Sequence, residues 1–248
     1  MTVTKAEVEP TFTRFTLSQR IEHALLLASV TMLCVTGLPQ RFVDAAWGQR
    51  LISCMGGLDW VRWMHHMFGV MLLSEALYHL IASLGELLFA RSKAMAMFPR
   101  ARDFRDAFHQ VAHLIGMRAE EPQFGRYDFR HKIEYWSLVW GMLLMGVTGV
   151  ILLFPTNATR LVPGSIVTAS RVAHSYEALL AFLAIVLWHL YNAHFAAESF
   201  PMDTSIFTGK ISVARMRKEH PLEYEQWLRE HAQNTASNDA EEVGSSES

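Results

Sequence analysis

The stretch Ala173–Tyr191, AHSYEALLAFLAIVLWHLY, decides what kind of fold this chain has. It is apolar and long enough for a membrane helix, yet it carries His174 and His189 near its ends and Glu177 between them. Ionisable side chains are costly in hydrocarbon, and those found there mark functional sites. The two histidines lie 15 residues apart, which on an α-helix is about 22 Å of rise and about 60° of rotation. They share one face, with one histidine near each membrane surface.

Three further stretches meet the length needed to cross a hydrocarbon layer of about 30 Å. The four run over 21–38, 63–89, 135–154 and 172–195. The mean hydropathy of +0.14 is modest only because these runs alternate with strongly charged segments. The expected fold is all-α: a four-transmembrane-helix bundle within residues 1–200, followed by a cytoplasmic C-terminal extension over 201–248. The first twenty residues contain Lys5, Glu7, Glu9, Arg14 and Arg20 and read as no cleavable signal. Of the 22 Lys and Arg residues, all but Arg41, Arg50, Arg62, Arg160 and Arg171 lie in the N-terminal segment, the loop over 90–134 and the tail. Basic residues accumulate on the cytoplasmic side, so both termini are expected there, in a multi-pass protein of a bacterial inner membrane.

The long inner loop has a pattern of its own. Phe104, Phe108, Val111 and Ile115 form a stripe at helical spacing beside Arg100, Arg102 and Arg105, which predicts an amphipathic helix over 103–116 lying on membrane lipid. In the extension, 211–230 reads as a helix broken at His220-Pro221, and the polar residues from about 233 read as disordered. Cys34 and Cys54 can pair in an oxidising compartment or remain two separate thiols. No CxxCH occurs, so covalently attached haem is not expected.

The remaining histidines complete a pattern. His65 and His79 lie in the second segment, 14 residues apart, and His23 opens the first. With the expected topology, His65 and His174 fall at the outer level, and His23, His79 and His189 at the inner one. Two levels about 20 Å apart along a bundle suit two stacked haems, each held by imidazoles from facing helices. Gly69, one turn after His65, leaves room for a flat ring. Packing, proton relay and passage of a metal ion are the competing readings of the same residues. His66 and His194 lie off the shared faces. His109 and His113 form an i, i+4 pair with only Asp106 nearby, which reads as a solvated helix face.

Taken together, Arg20-x-x-His23 with Thr36-Gly37-Leu38, His65-x-x-x-Gly69-Val70, Lys132-x-x-x-Trp136 with Thr148-Gly149-Val150, and His174 with His189-Leu190-Tyr191 resemble one family. It is the integral-membrane cytochrome b subunits of the formate dehydrogenase and nickel–iron hydrogenase type, a cytochrome b561-like four-helix family. The resemblance spans residues 14 to about 210. It implies a di-haem protein, with His65 and His174 on one haem b and His23 and His189 on the other. Arg20 would pair with a propionate. The sequence departs from the pattern twice. The separation of His174 and His189 is one residue longer, and His79 is an additional histidine that can replace His23, contact a propionate or help hold a third haem. The implied role is electron transfer between the membrane quinone pool and a periplasmic iron–sulfur or multihaem cytochrome c subunit, by a membrane subunit without a catalytic domain of its own. No nucleic-acid partner is expected. Quinone-site candidates are His131, Lys132, Asp128, Glu134 and Asn192 at the inner end, with Glu177 at the outer end as the competitor. A haem-free transporter or a passive membrane anchor is the alternative.

Overall fold

A computed structural model describes residues 11–89, 95–120, 122–196 and 199–229. In chain order they form strand β1 (Thr11–Thr13), helices α1 (Leu17–Arg41), α2 (Ala46–Cys54), α3 (Leu58–Phe89), α4 (Ala101–Leu114), α5 (Phe129–Leu153) and α6 (Gly164–Ala184), strand β2 (Lys210–Ser212) and helix α7 (Val213–Glu219). A further helix follows over 221–229. Four helices are long and apolar enough to cross a membrane: α1, α3, α5, and the fourth over Gly164–Phe195, which begins as α6. The protein is an all-α, multi-pass membrane bundle. The expected disordered tail from 233 lies outside the described residues.

The chain divides into two compact units. The larger, over 15–95 and 134–209, contains most of the membrane-spanning length. Its α1 opens with a capping box: Gln19 N–H donates to Thr16 Oγ1 (3.3 Å), and Thr16 N–H donates to Gln19 Oε1 (3.0 Å). Within this unit the usual arrangement of a water-soluble core is reversed. Leu25, Leu77, Trp140 and Leu187 are exposed, while Ser29, Thr36, Thr148 and Ser170 are buried. Lipid gives apolar side chains no reason to turn inward, so small residues that permit close helix approach occupy the crossings. A Cβ on Gly146, for example, would come within 2.8 Å of Leu73 Cδ2. Ser29, Thr36 and Thr148 each donate to the carbonyl four residues earlier, at 2.7–2.8 Å. These three hydroxyl hydrogens are thereby satisfied within their own helices.

The fourth spanning helix departs from α-geometry over Ile185–His189 and again over Tyr191–Phe195, where the turns are π-helical. Leu190 N–H reaches Ile185 O, and Ala196 N–H reaches Tyr191 O at 2.9 Å. A π turn takes up an extra residue without advancing the helix face. The longer separation of His174 and His189 is thereby absorbed, and His189 points as if the helix were one residue shorter.

The smaller unit, over the described residues of 11–14, 96–133 and 210–229, contains the two-stranded antiparallel pairing of β1 with β2, in which Phe12 sits opposite Ile211. The sequence reading missed both strands, because three-residue strands carry no periodicity to read. Phe12 packs edge-on to Trp227, with ring centroids 4.6 Å apart, and Ile211 and Met216 are buried. Arg14 bonds Glu223 Oε2 at 2.5 Å, and Arg126 bonds Glu223 Oε1 at 3.0 Å. The helix of the tail does break at His220, as its Pro221 requires. On α4, Phe104, Phe108, Val111 and Leu114 stand exposed along one side, an apolar stripe on an amphipathic helix. Cys34 and Cys54 are both free thiols.

One turn has no space to give. A Cβ on Gly48 of α2 would overlap the Phe42 carbonyl, which is backbone and cannot move aside. Gly48→Ala should therefore lower the thermal unfolding midpoint of the detergent-purified protein, by an amount equivalent to about 1–3 kcal/mol. Gly164→Ala, where an added Cβ meets nothing within 4 Å, should leave the midpoint unmoved in the same differential scanning measurement.

Candidate haem sites

Both histidine levels are assembled. His65 of α3 faces His174 of α6 with ring centroids 6.4 Å apart and planes at 75°. His23 of α1 faces His189 with centroids also 6.4 Å apart and planes at 40°. Two metal–imidazole bonds of about 2.0 Å, plus the distance from each nitrogen to its ring centre, separate the centroids of a trans pair by about 6.2 Å. Both gaps therefore have the span that one iron between two imidazoles requires. The surroundings fit a porphyrin as well. A Cβ added to Gly69 would meet nothing within 4 Å, so open space adjoins the turn after His65. Gly37 and Gly149 instead lie against the imidazoles themselves, where a Cβ would stand 3.0 Å from His65 Cε1 and 3.4 Å from His174 Cε1.

Hydrogen bonds hold three of the four rings. Thr36 Oγ1 lies 3.0 Å from His65 Nδ1, and Thr148 Oγ1 lies 2.9 Å from His174 Nδ1. His189 Nδ1 approaches Glu134 Oε2 at 3.4 Å, and Asn192 Nδ2 donates to Glu134 Oε1 at 3.4 Å. The sequence reading singled out Thr36 and Thr148 only as parts of Thr-Gly motifs. Their partnership with the rings depends on helix rotation, which spacing within one segment does not reveal.

His79 is occupied in another way. Its Nδ1 bonds Glu22 Oε2 at 2.9 Å, and its Nε2 lies 3.1 Å from Tyr135 Oη and 3.3 Å from Ser83 Oγ. Both ring nitrogens are engaged by side chains. Arg20 donates to the Phe207 carbonyl, while its Nε is buried without a hydrogen-bond partner. Glu177 sits beside Gly141, where an added Cβ would come within 3.0 Å of its Oε1.

His131 and Lys132 belong to the smaller unit and are held by acids there. Lys132 Nζ bonds both oxygens of Asp103 at 2.8 Å, and His131 Nδ1 bonds Asp128 Oδ1 at 2.7 Å. Lys132, Asp103 and Asp128 line a cavity of about 260 Å³. Burial opposes ionisation of Asp128, but bonds and charge from His131 and Arg130 outweigh it and hold the carboxyl far below the usual carboxylate range. His109 and His113 do not converge with a third metal-binding group among the described residues.

His220 is the titrating group of this unit. Its Nδ1–H donates to Gly125 O at 2.9 Å, and its Nε2 accepts from Arg14 at 3.2 Å. Burial, and next the Arg14 guanidinium, push its pKa down from 6.5 to about 4. The folded unit therefore holds His220 neutral, while an unfolded chain would bind a proton below 6.5. Stability is complete above pH 6.5 and falls as the pH drops toward 4, by up to about 3 kcal/mol. Amide exchange over 210–229 should accelerate across that window. In His220→Gln, which keeps a donor and an acceptor but cannot be protonated, the acceleration should disappear.

Residues 14–200 match the model of the family described as prokaryotic cytochrome b561. The formate dehydrogenase cytochrome b556(fdo) subunit of Escherichia coli K12 is 24% identical over 221 residues, covering 89% of this chain and 93% of that protein. The formate dehydrogenase cytochrome b556 subunit of Haemophilus influenzae is 25% identical over 211 residues, covering 85% and 79%. The nitrate-inducible formate dehydrogenase cytochrome b556(Fdn) subunit of Escherichia coli K12 is 24% identical over 214 residues, covering 82% and 94%.

Proposed function

This chain belongs to the prokaryotic cytochrome b561 family, a membrane cytochrome b of electron transport, and from that premise we propose that it carries two haems b and links a periplasmic redox subunit to membrane quinone. His65 and His174 hold one haem, and His23 and His189 hold the other. The observation that carries this reading is the pair of equal 6.4 Å imidazole separations at two levels of one bundle. Haem b held by two imidazoles supplies a one-electron relay whose potential the protein tunes. The chain's own residues position the two imidazole pairs, keep water from them with apolar helices, and hold the rings by hydrogen bonds.

Two haems are favoured over three because both nitrogens of His79 already have partners. The buried, unpartnered Nε of Arg20 is a donor suited to a propionate. The quinone site is assigned to the end holding His23 and His189. There Glu134 and Asn192 form a contiguous polar group with His189, and such a group can bond a quinone oxygen and exchange its proton. Lys132 and His131 are already bonded to Asp103 and Asp128, which leaves them a lesser claim, and Glu177 belongs to the opposite level. The relatives are named as subunits of formate dehydrogenases, which supports a further redox subunit as partner, assigned here as an iron–sulfur or multihaem subunit at the outer end. The distribution of basic residues supports both termini lying in the cytoplasm of a bacterial cell.

The deciding measurement is the pyridine haemochrome spectrum and haem-to-protein ratio of the purified chain. Two haems b are expected in the wild type and in His79→Ala, and one in His65→Ala or His23→Ala. Three haems in the wild type, with one lost in His79→Ala, would replace this ligand set. A colourless protein would leave a transporter or an anchor. Orientation is read separately with the native thiols. Exposed Cys54 should react with a membrane-impermeant maleimide added to spheroplasts, and failure there, with reaction in inverted vesicles, would reverse the topology.

A further inference from the structure

We infer that Thr36 and Thr148 are positioning residues that decide which nitrogen of His65 and His174 is free for iron, an inference that rests on the haem reading above. Thr36 Oγ1 is 2.7 Å from Met32 O in its own helix and 3.0 Å from His65 Nδ1. Thr148 Oγ1 is 2.7 Å from Leu144 O and 2.9 Å from His174 Nδ1. A hydroxyl has one hydrogen, and a carbonyl oxygen can only accept. Each threonine therefore donates to its own helix and offers the imidazole a lone pair. Nδ1 must carry the ring proton and donate, so the electron pair of a neutral imidazole stands at Nε2. Both threonines are buried, at 0% and 5% exposure, so water does not compete for the bond.

The residue after each threonine completes the seat. Gly37 and Gly149 let the ring lie against the backbone, where a Cβ would stand 3.0 Å and 3.4 Å from the ring carbons. The same Thr-Gly pair thus serves α1 toward His65 and α5 toward His174. The hydroxyl orients the ring, and the missing side chain admits it. At the other level the partner is a carboxylate, Glu134 beside His189 Nδ1. The hydroxyl seats belong to one haem, and the two haems differ in the chemistry behind their ligands.

A partner that accepts from Nδ1–H pushes electron density onto the ring, raises ligand basicity and favours ferric iron. Thr36→Val keeps the shape and removes the acceptor. The test uses the full-length protein in detergent, with a potentiometric titration following each haem band and transfer of haem to apomyoglobin following retention. In Thr36→Val the midpoint of one haem should rise while that of the other stays in place. Release of that haem should quicken about tenfold, the lower end of what losing such a partner costs in affinity. Thr36→Ser should restore both properties. Thr148→Val should move the midpoint of the same haem, because Thr148 Oγ1 faces His174 Nδ1 as Thr36 Oγ1 faces His65 Nδ1. Two haems in Thr36→Val with unmoved midpoints would overturn the positioning role and leave the haem reading intact. If both Thr36 variants lose a haem, Thr148→Val decides, and an unmoved midpoint there overturns the inference. A wild type without haem would overturn the haem reading and this inference with it.

Discussion

Everything in the larger unit follows from one constraint: an imidazole inside a bilayer has two nitrogens to satisfy and no water with which to do so. Lipid supplies neither donor nor acceptor, so each ring must find its partners on a neighbouring helix. His65, His174 and His189 do so on one edge, through Thr36, Thr148 and Glu134. Their second nitrogen is left for the ring opposite or for what lies between. His79 finds partners on both edges, in Glu22 and Tyr135. Its chemistry differs from that of the other rings because of its neighbours, since the side chain is the same.

The constraint also governs the helices that carry the rings. Bringing two helices close enough for a threonine to reach a histidine requires small residues at the crossing, and Ser29, Thr36, Gly37, Thr148 and Gly149 occupy those places. The leucines and tryptophans turn outward, where hydrocarbon serves them as well as an interior would. In the fourth spanning helix, the π turn over Ile185–His189 lies between His174 and His189 and shifts the lower histidine around the helix axis. Helix irregularities of this kind cluster at functional sites because they aim a side chain that regular geometry would misdirect.

The smaller unit obeys a different solvent. It is held by charge as much as by packing, with Arg14, Arg126 and Glu223 linked across segments far apart in sequence and Phe12 seated among Tyr224 and Trp227. Ion pairs such as Lys132 with Asp103 place buried charge where it is compensated. Sequence reading placed Lys132 and His131 among the candidates for a quinone site from their depth near a helix start. Depth along a chain does not say which acid a base meets, and here the two meet Asp103 and Asp128.

The sequence by itself determined the four spans, the helix in the loop between the second and third, and the two histidine levels. Hydrophobic run length, helical periodicity and a rise per residue are local properties, and they survive whatever the helices later do. The break at His220-Pro221 was legible for the same reason, since proline acts on its own backbone. Only the tertiary structure decided that His65 meets His174, that His23 and not His79 faces His189, and that Thr36 and Thr148 hold two of the rings. Those outcomes depend on the rotation of each helix about its axis. A π turn shifts that rotation, and small-residue crossings set it between segments that no spacing within one helix can relate.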